Sequence, residues 1–344
     1  MGLGQRCPPC RSAGSQVTVV NFVPMTFVGT SRVVLVANRK GGVGKSSIVA
    51  ATAQAVASGG RRGGGHRVLI IDGDPQGTIT KSDLGARDTS DRGASLGRTL
   101  LYGDPLVPLQ GLKPNLDLIA GGNLLSKAIP SAASMPSAEL AHNVQSALER
   151  LCTERSYDFV FIDSAPGEMP LLDAFLQVAN YVLIPTQSDG GSLDAVEELA
   201  ARFNLARRAG ATIQLLGVVL FAADPAATVR NADVIAQVEE ILGGSGVTPF
   251  KTLIRENKAA ACDMRNLGMT AAELIPLAKQ ARTQRLKALR DGEKPGRPMW
   301  ASNPLKLAGD YQSLVYEIVS RIAQAESPVA TVGDVAVAGA GAGA

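Results

Sequence analysis

Residues 40–47, Lys-Gly-Gly-Val-Gly-Lys-Ser-Ser, carry the strongest chemical signal in the chain. Closely spaced glycines let consecutive backbone N–H groups turn inward as a nest for an anion. The segment follows an apolar, β-branched run at 32–38 and opens an Ala-rich stretch at 45–58 that reads as a helix. A helix N-terminus adds its positive dipole end at the same place. Strand, loop, Lys-Ser and helix in this order are the context that a nucleotide phosphate loop requires. In such a loop Gly41, Gly42, Val43, Gly44 and Ser47 line the cradle, Lys45 reaches the β- and γ-phosphates, and Ser46 offers its hydroxyl oxygen to Mg²⁺.

Two acidic segments follow at the ends of further apolar runs. Asp72-Gly73-Asp74-Pro75-Gln76-Gly77 closes the run at 68–72, and Asp163 closes 159–163 ahead of Ser164-Ala165-Pro166-Gly167. A carboxylate at the carboxyl end of a buried strand can reach the Mg²⁺ shell beside a phosphate loop. One Asp after an apolar run is a weak signal. As a third element in the expected order it is a strong one.

Positioning these groups requires a regular scaffold. Continuous apolar runs at 32–38, 68–72, 116–120, 159–163, 181–185 and 213–221 alternate with helical patterns at 45–58, 138–152, 192–209 and 232–242. Strands without a polar face, separated by helices, predict an α/β fold with a mostly parallel sheet covered on both faces. Residues 83–107 read as a flexible or helical excursion, and 314–323 as a final core-packing helix. Residues 1–31 are expected to be a flexible extension, 32–325 one domain, and 326–344 a disordered Ala/Gly tail.

The loop departs from the plain G-x-x-x-x-G-K pattern by carrying Lys40 at its start. With that extra lysine, KGGVGKS resembles the deviant phosphate loop of the ParA/MinD family of ATPases. The resemblance implies a P-loop NTPase-like fold with ATP and Mg²⁺ as ligands. It implies that Lys40 crosses a dimer interface to the partner's ATP, a cation that arrives only on association. DGDPQG resembles the family's first switch, so by likeness Asp74 orients the attacking water and Asp72 holds an Mg²⁺-bound water. Asp163 resembles the Walker B aspartate before the second switch. Residues 181–187 and 249–255 extend the likeness, which covers roughly 32–325. Four departures stand out. Arg39 occupies a position where Gln is common, Thr78 one where Asn is common, and Phe221 one where a small polar residue is frequent. The stretch 273–298 is a longer and more basic helical insertion than the family leads one to expect.

Composition narrows the cargo. Hydrophobic residues make up 45% of 344, enough for a sizeable core, so a wholly disordered chain is excluded. Four cysteines are too few for a disulfide scaffold at this length, which points to an intracellular protein. Cys7-Pro-Pro-Cys10 has no second Cys/His pair nearby and is read as part of the extension. Cys152 and Cys262 lack the spacing for a shared cluster and are expected to be buried small hydrophobes. No run reaches the apolar length of a membrane span, and no Lys or Arg follows Arg321, so a membrane-binding terminal helix is not expected.

Charge favours nucleic acid locally. The chain carries +3 overall, but residues 251–297 hold eleven basic against five acidic side chains. Arg255, Lys258, Arg265, Arg282 and Arg285 are the candidate contacts to a phosphate backbone. Few aromatics interleave them, which favours duplex over single strands. The region before the first strand is too short for a helix-turn-helix domain, so sequence specificity is expected from a separate ParB-like centromere-binding protein. The expected reading is a cytoplasmic, nucleoid-associated partition ATPase with weak intrinsic turnover. It forms a homodimer with ATP and binds duplex DNA without sequence preference. The alternatives are a MinD-like positioning ATPase acting on a membrane or protein cargo, and a low-turnover nucleotide-switch adaptor.

Overall fold

Val, Ile and Leu at successive positions of one strand leave no face for water, so each strand end-to-end demands cover above and below. The computed structural model satisfies this demand and describes residues 31–59, 65–243, 245–294 and 299–327. The expected extension at 1–30 with its Cys-x-x-Cys, Arg297, and the tail from 328 lie outside the described residues.

Among the described residues, eight strands form one sheet in the order β3-β4-β2-β5-β1-β6-β7-β8. They are β1 (Arg32–Val36), β2 (Val68–Gly73), β3 (Leu109–Lys113), β4 (Leu116–Ile119), β5 (Phe159–Ser164), β6 (Tyr181–Thr186), β7 (Gln214–Ala223) and β8 (Ile254–Arg255). All neighbours pair in parallel except the edge strand β3, which runs antiparallel to β4. The fold is thus the mostly parallel sheet that the alternating pattern predicts, and the P-loop NTPase-like fold that the resemblance implies.

Strand alternation divides the core. Val33 and Leu35 of β1 point into one layer, with α4 (Ser137–Arg155), α5 (Met169–Val178) and α6 (Gly190–Arg208). Val34 and Val36 point into the other, with α1 (Lys45–Ser58), α8 (Lys258–Leu267), α9 (Ala271–Arg290) and α10 (Leu305–Glu326). The remaining helices are α2 (Ala94–Tyr102), α3 (Leu125–Ala132) and α7 (Thr228–Ile241).

The chain leaves β1 toward β2 and leaves β5 toward β6, crossing the sheet in opposite senses on opposite faces. The strand order therefore reverses beside β1, and a crevice opens at its carboxyl end. That crevice is where the phosphate loop begins.

Some elements differ from the sequence reading. The excursion at 83–107 contains α2, preceded by one π-helical turn at Ile79–Asp83. The edge strand β3 and helices α3 and α5 are short elements that the sequence reading does not include. The α5 sequence MPLLDAFLQV is apolar almost throughout, and a short apolar run does not separate a buried helix from a strand. The expected basic insertion at 273–298 falls on α9 from Glu273 onward and on the segment after it, of which 295–298 lie outside the described residues; α9 is started by a Thr270–Glu273 capping box. Its first half buries Ala271, Leu274 and Ala278, whereas Leu286 and Leu289 beyond them face solvent. The terminal helix α10 buries Leu314, Ile318 and Ile322, as a core-packing helix should.

Candidate nucleotide site

Gly44 caps α1 with φ +87°, a left-handed conformation that costs an L-residue about 1–2 kcal/mol. Space forbids a side chain there as well. A Cβ on Gly44 would sit 2.3 Å from the ring of Phe221, the unusual residue at the end of β7. Phe221 therefore packs on the phosphate loop itself, and the departure from the family pattern is a structural contact. Lys45 follows in the first turn of α1, 6% exposed, and its Nζ donates to the Lys40 carbonyl at 2.9 Å. Burial lowers the Lys45 pKa, while the nearby carboxylates of Asp163 and Asp74 oppose that shift.

The two acidic segments converge here. β2 and β5 are neighbours, and Asp72 pairs in register with Asp163. Both are fully buried. Asp72 is well satisfied: Oδ2 accepts from the Thr80 backbone N–H at 2.9 Å and hydroxyl at 2.7 Å, and Oδ1 accepts from Asp74 N–H at 3.2 Å. Desolvation still raises its pKa to about 6. Neither oxygen of Asp163 has a hydrogen-bond partner. Ser46 lies beside it, close enough to lower its pKa without a hydrogen bond of normal geometry. Desolvation, and then the charge of Asp72, nonetheless push that pKa well above the ordinary carboxylate range. A fully buried, unpaired carboxylate beside Ser46 and Lys45 fits the donor set of an Mg²⁺–phosphate site, since a cation would supply the missing partner. Asp74, 9% exposed, stands at the mouth, its Oδ1 accepting from Gln76 N–H at 2.7 Å. Gly121 passes so close beneath these residues that a Cβ would lie 2.6 Å from the carbonyls of Asp72 and Asp74.

A family model described as an AAA domain matches residues 31–215, more than half of the chain. The chromosome-partitioning ATPase Soj of Thermus thermophilus is 32% identical over 255 residues, covering 74% of this chain and 92% of Soj. The chain belongs to the ParA/MinD-type ATPase family. An ATP complex of McdA from Cyanothece superposes with a TM-score of 0.59 at 20% identity, covering 84% of this chain and 96% of McdA. Cobyrinic acid a,c-diamide synthase of Mycobacterium smegmatis with bound ADP and magnesium gives 0.56 at 21%, covering 79% and 100%. The last two establish the fold alone.

In this ParA/MinD-type chain the extra lysine is occupied. Lys40 Nζ forms an ion pair with Asp189 and also meets the Ser192 hydroxyl at 3.0 Å. Asp189 is the N-cap of α6, its side chain accepting from Ser192 N–H at 3.1 Å. The hydrogen bond from Lys40, above all, holds the Asp189 pKa below its usual value. The loop between β6 and α6 thus closes over the phosphate loop: Gln187 also donates to the Gly42 carbonyl, at 3.3 Å, and Asn38 to the Pro185 carbonyl, at 2.7 Å. Arg39 pairs with Glu198 on the outer side.

Sequence reasoning did not single out Asp189, Ser192 or Thr80. The N-cap signal of Asp189 before Gly-Gly-Ser was available, but nothing in the sequence brings it to Lys40. The basic candidates separate into three places. Arg255 donates to both oxygens of Asp310, at 2.6 and 2.7 Å, which fastens β8 to α10. Its guanidinium is engaged, so it is a poorer phosphate contact than the others. Lys258 and Arg265 are exposed on α8, and Arg282 and Arg285 on the outer half of α9. Cys152 and Cys262 are only partly buried, a correction to their expected place in the core.

Proposed function

We propose that this chain is a DNA-partition ATPase that hydrolyses ATP with Mg²⁺. In this reading Gly41–Ser47 hold the triphosphate, with Lys45 on the β- and γ-phosphates. Ser46 binds the ion, and Asp72 and Asp163 reach its shell through water. Asp74 positions the attacking water. Phosphoryl transfer asks little covalent chemistry of the protein, so positioning and charge suffice. Lys40 leaves Asp189 and reaches the ATP of a second copy, which makes association and nucleotide state interdependent. The ATP dimer doubles the basic residues on one surface, so Lys258, Arg265, Arg282 and Arg285 bind duplex phosphates by avidity. A ParB-like partner stimulates hydrolysis and releases the DNA, and the protein acts in the cytoplasm on the nucleoid.

The observation that carries this reading is the unpaired, fully buried Asp163 beside Ser46 and Lys45, in a family whose relative Soj is a chromosome-partitioning ATPase. Among the described residues no helix is long and apolar enough to cross a membrane, and α10 spends its apolar face on the core. The test is binding to arbitrary duplex DNA and to anionic liposomes, each with ATP and with ADP. Salt-sensitive, ATP-dependent binding to duplex supports the proposal. ATP-dependent binding to liposomes without DNA refutes it in favour of a membrane-positioning ATPase, and binding to neither favours a protein-cargo adaptor.

A further inference from the structure

A cationic pocket lies away from the phosphate loop, between the π-helical turn at Ile79–Asp83 with the residues that follow it and the end of α8. Lys81, Ser82 and Arg87 from one side and Cys262, Arg265 and Asn266 from the other line a pocket of about 440 Å³. The two sides are in firm contact. Gly268, the C-cap of α8, lies so near the turn that a Cβ there would be 3.4 Å from the Ser82 carbonyl.

The chemistry of the lining is one-sided. Three cations converge from two elements, and none of the three has an ion-pair partner among the described residues. Arg265 only donates Nε to the Ala261 carbonyl at 3.2 Å, and Arg87 is exposed. Asp83 is a buried member of the turn and feels the charges of both Asp72 and Arg265. Like charges held together without an ion-pair partner cost free energy that an anion would recover. Guanidinium forks match phosphate oxygens two at a time, so Arg87 and Arg265 favour a phosphoryl group. No aliphatic or aromatic side chain lines the pocket, so neither a nucleotide base nor an inserted lipid chain finds an apolar wall. Lys258, seven residues before Arg265 on the same face of α8, adds a further exposed cation, itself paired with Glu256 at 3.2 Å.

The pocket is also wired to the nucleotide site. Lys81 Nζ donates to the Gln76 carbonyl at 2.5 Å, and the Gln76 N–H is the donor to Asp74. The residue before Lys81 is Thr80, which makes two hydrogen bonds to Asp72. A ligand that draws Lys81 outward must therefore loosen the Asp72–Gly77 segment, and a change in that segment must move Lys81.

We propose that this pocket receives a backbone phosphate of duplex DNA, held by Lys81, Arg87 and Arg265, and that Lys81 transmits occupancy to Asp74 through Gln76. The inference rests on the DNA-binding reading above and adds to it the residues of the first-switch side, which the basic run at 251–297 does not contain. Coupling of this kind is reciprocal: whatever factor separates DNA affinity in ATP from that in ADP also separates the two nucleotide affinities on DNA.

The test uses the full chain with an arbitrary duplex, in ATP and in ADP, over a salt series. Arg87→Ala and Arg265→Ala should each reduce the slope of log affinity against log salt by about 0.9 for every protomer engaged. Arg87→Lys should restore most of that loss, and ATPase activity without DNA should be unchanged in Arg87→Ala. Lys81→Ala should differ in kind, pulling the ratio of DNA affinities in ATP and ADP toward one. If wild type binds duplex and all three alanine variants keep its slope and its ATP/ADP ratio, the pocket is not a DNA contact, although the partition reading survives. If wild type binds no duplex, the partition reading itself fails and this inference with it. Competition by inorganic phosphate that leaves duplex binding intact, or loss of anionic-vesicle binding instead of duplex binding in the variants, also overturns the proposal.

Discussion

Asp189→Asn isolates the contact that holds Lys40 within its own protomer. Asparagine caps a helix as well as aspartate does, so the start of α6 is kept while the charge is removed. The lysine side chain is 32% exposed and the aspartate 48%. An ion pair so open to solvent contributes only about 0.2–1 kcal/mol, which is about a 1.4- to 5-fold bias toward the closed arrangement. A symmetric dimer must open two such contacts, so the factor enters squared. The variant should dimerise in ATP about 2- to 30-fold more tightly than wild type. Sedimentation or light scattering over a protein concentration series reads that shift directly. Because Lys40 holds the Asp189 pKa down, the wild-type contact persists through neutral pH and is lost only as pH falls through that lowered value. The gain from Asp189→Asn should therefore be the same at pH 6 and pH 8. Combining it with Lys40→Ala should abolish the gain, since in the proposed dimer the released lysine is the group that reaches the partner's ATP. An unchanged or weakened dimer in Asp189→Asn would show that the ion pair does not compete with association.

Lys45→Ala should lose ATP affinity by orders of magnitude, measured with a fluorescent analogue, since its ammonium is the main side-chain cation in the cradle; near-normal affinity would sink the site. Asp74→Ala should retain ATP binding and lose phosphate release, trapping the dimer, and a variant that hydrolyses normally would remove Asp74 from the water-positioning role. Gly44→Ala should cost at least the about 1–2 kcal/mol of a left-handed alanine, with a further loss from collision with Phe221, and Phe221→Ala should relieve only the second part; thermal melts of the single and double variants separate the two. Asp83, buried and raised to about 7, binds a proton more tightly folded than unfolded, so stability falls as pH rises from about 4 to about 7. Asp83→Asn should flatten that fall, a gain at pH 8 relative to pH 4 of about 1.4 kcal/mol for each pKa unit by which burial shifts the carboxyl; equal pH slopes for the two proteins would contradict the shift.

Much of this protein is local and therefore legible in its sequence. The phosphate loop announces itself because the glycines, Lys45, Ser46 and the helix start are contiguous and obey short-range rules. The parallel sheet announces itself because a strand buried on both faces must be apolar at every position, as at Val68–Ile71. Asp72 and Asp163 end such strands and can be nominated from that place alone. Tertiary structure decides what depends on distance through space. Ninety-odd residues separate Asp72 from Asp163, and only the pairing of β2 with β5 puts them in register; burial in the folded sheet then raises both pKa values, and the charge of Asp72 raises that of Asp163 further. Lys40 is legible as the extra lysine of the loop, but its pairing with Asp189 exists only because the β6–α6 loop folds over it. Arg255 and Arg265 look alike in a basic run, yet α10 presents Asp310 to the first and nothing comparable meets the second. The same holds for Lys81 and Arg87, isolated cations in the sequence that become a site only where α8 packs on their turn. Charge and hydropathy are properties of residues, whereas pairing, burial and the perturbed acidity that follows belong to the neighbours that folding supplies.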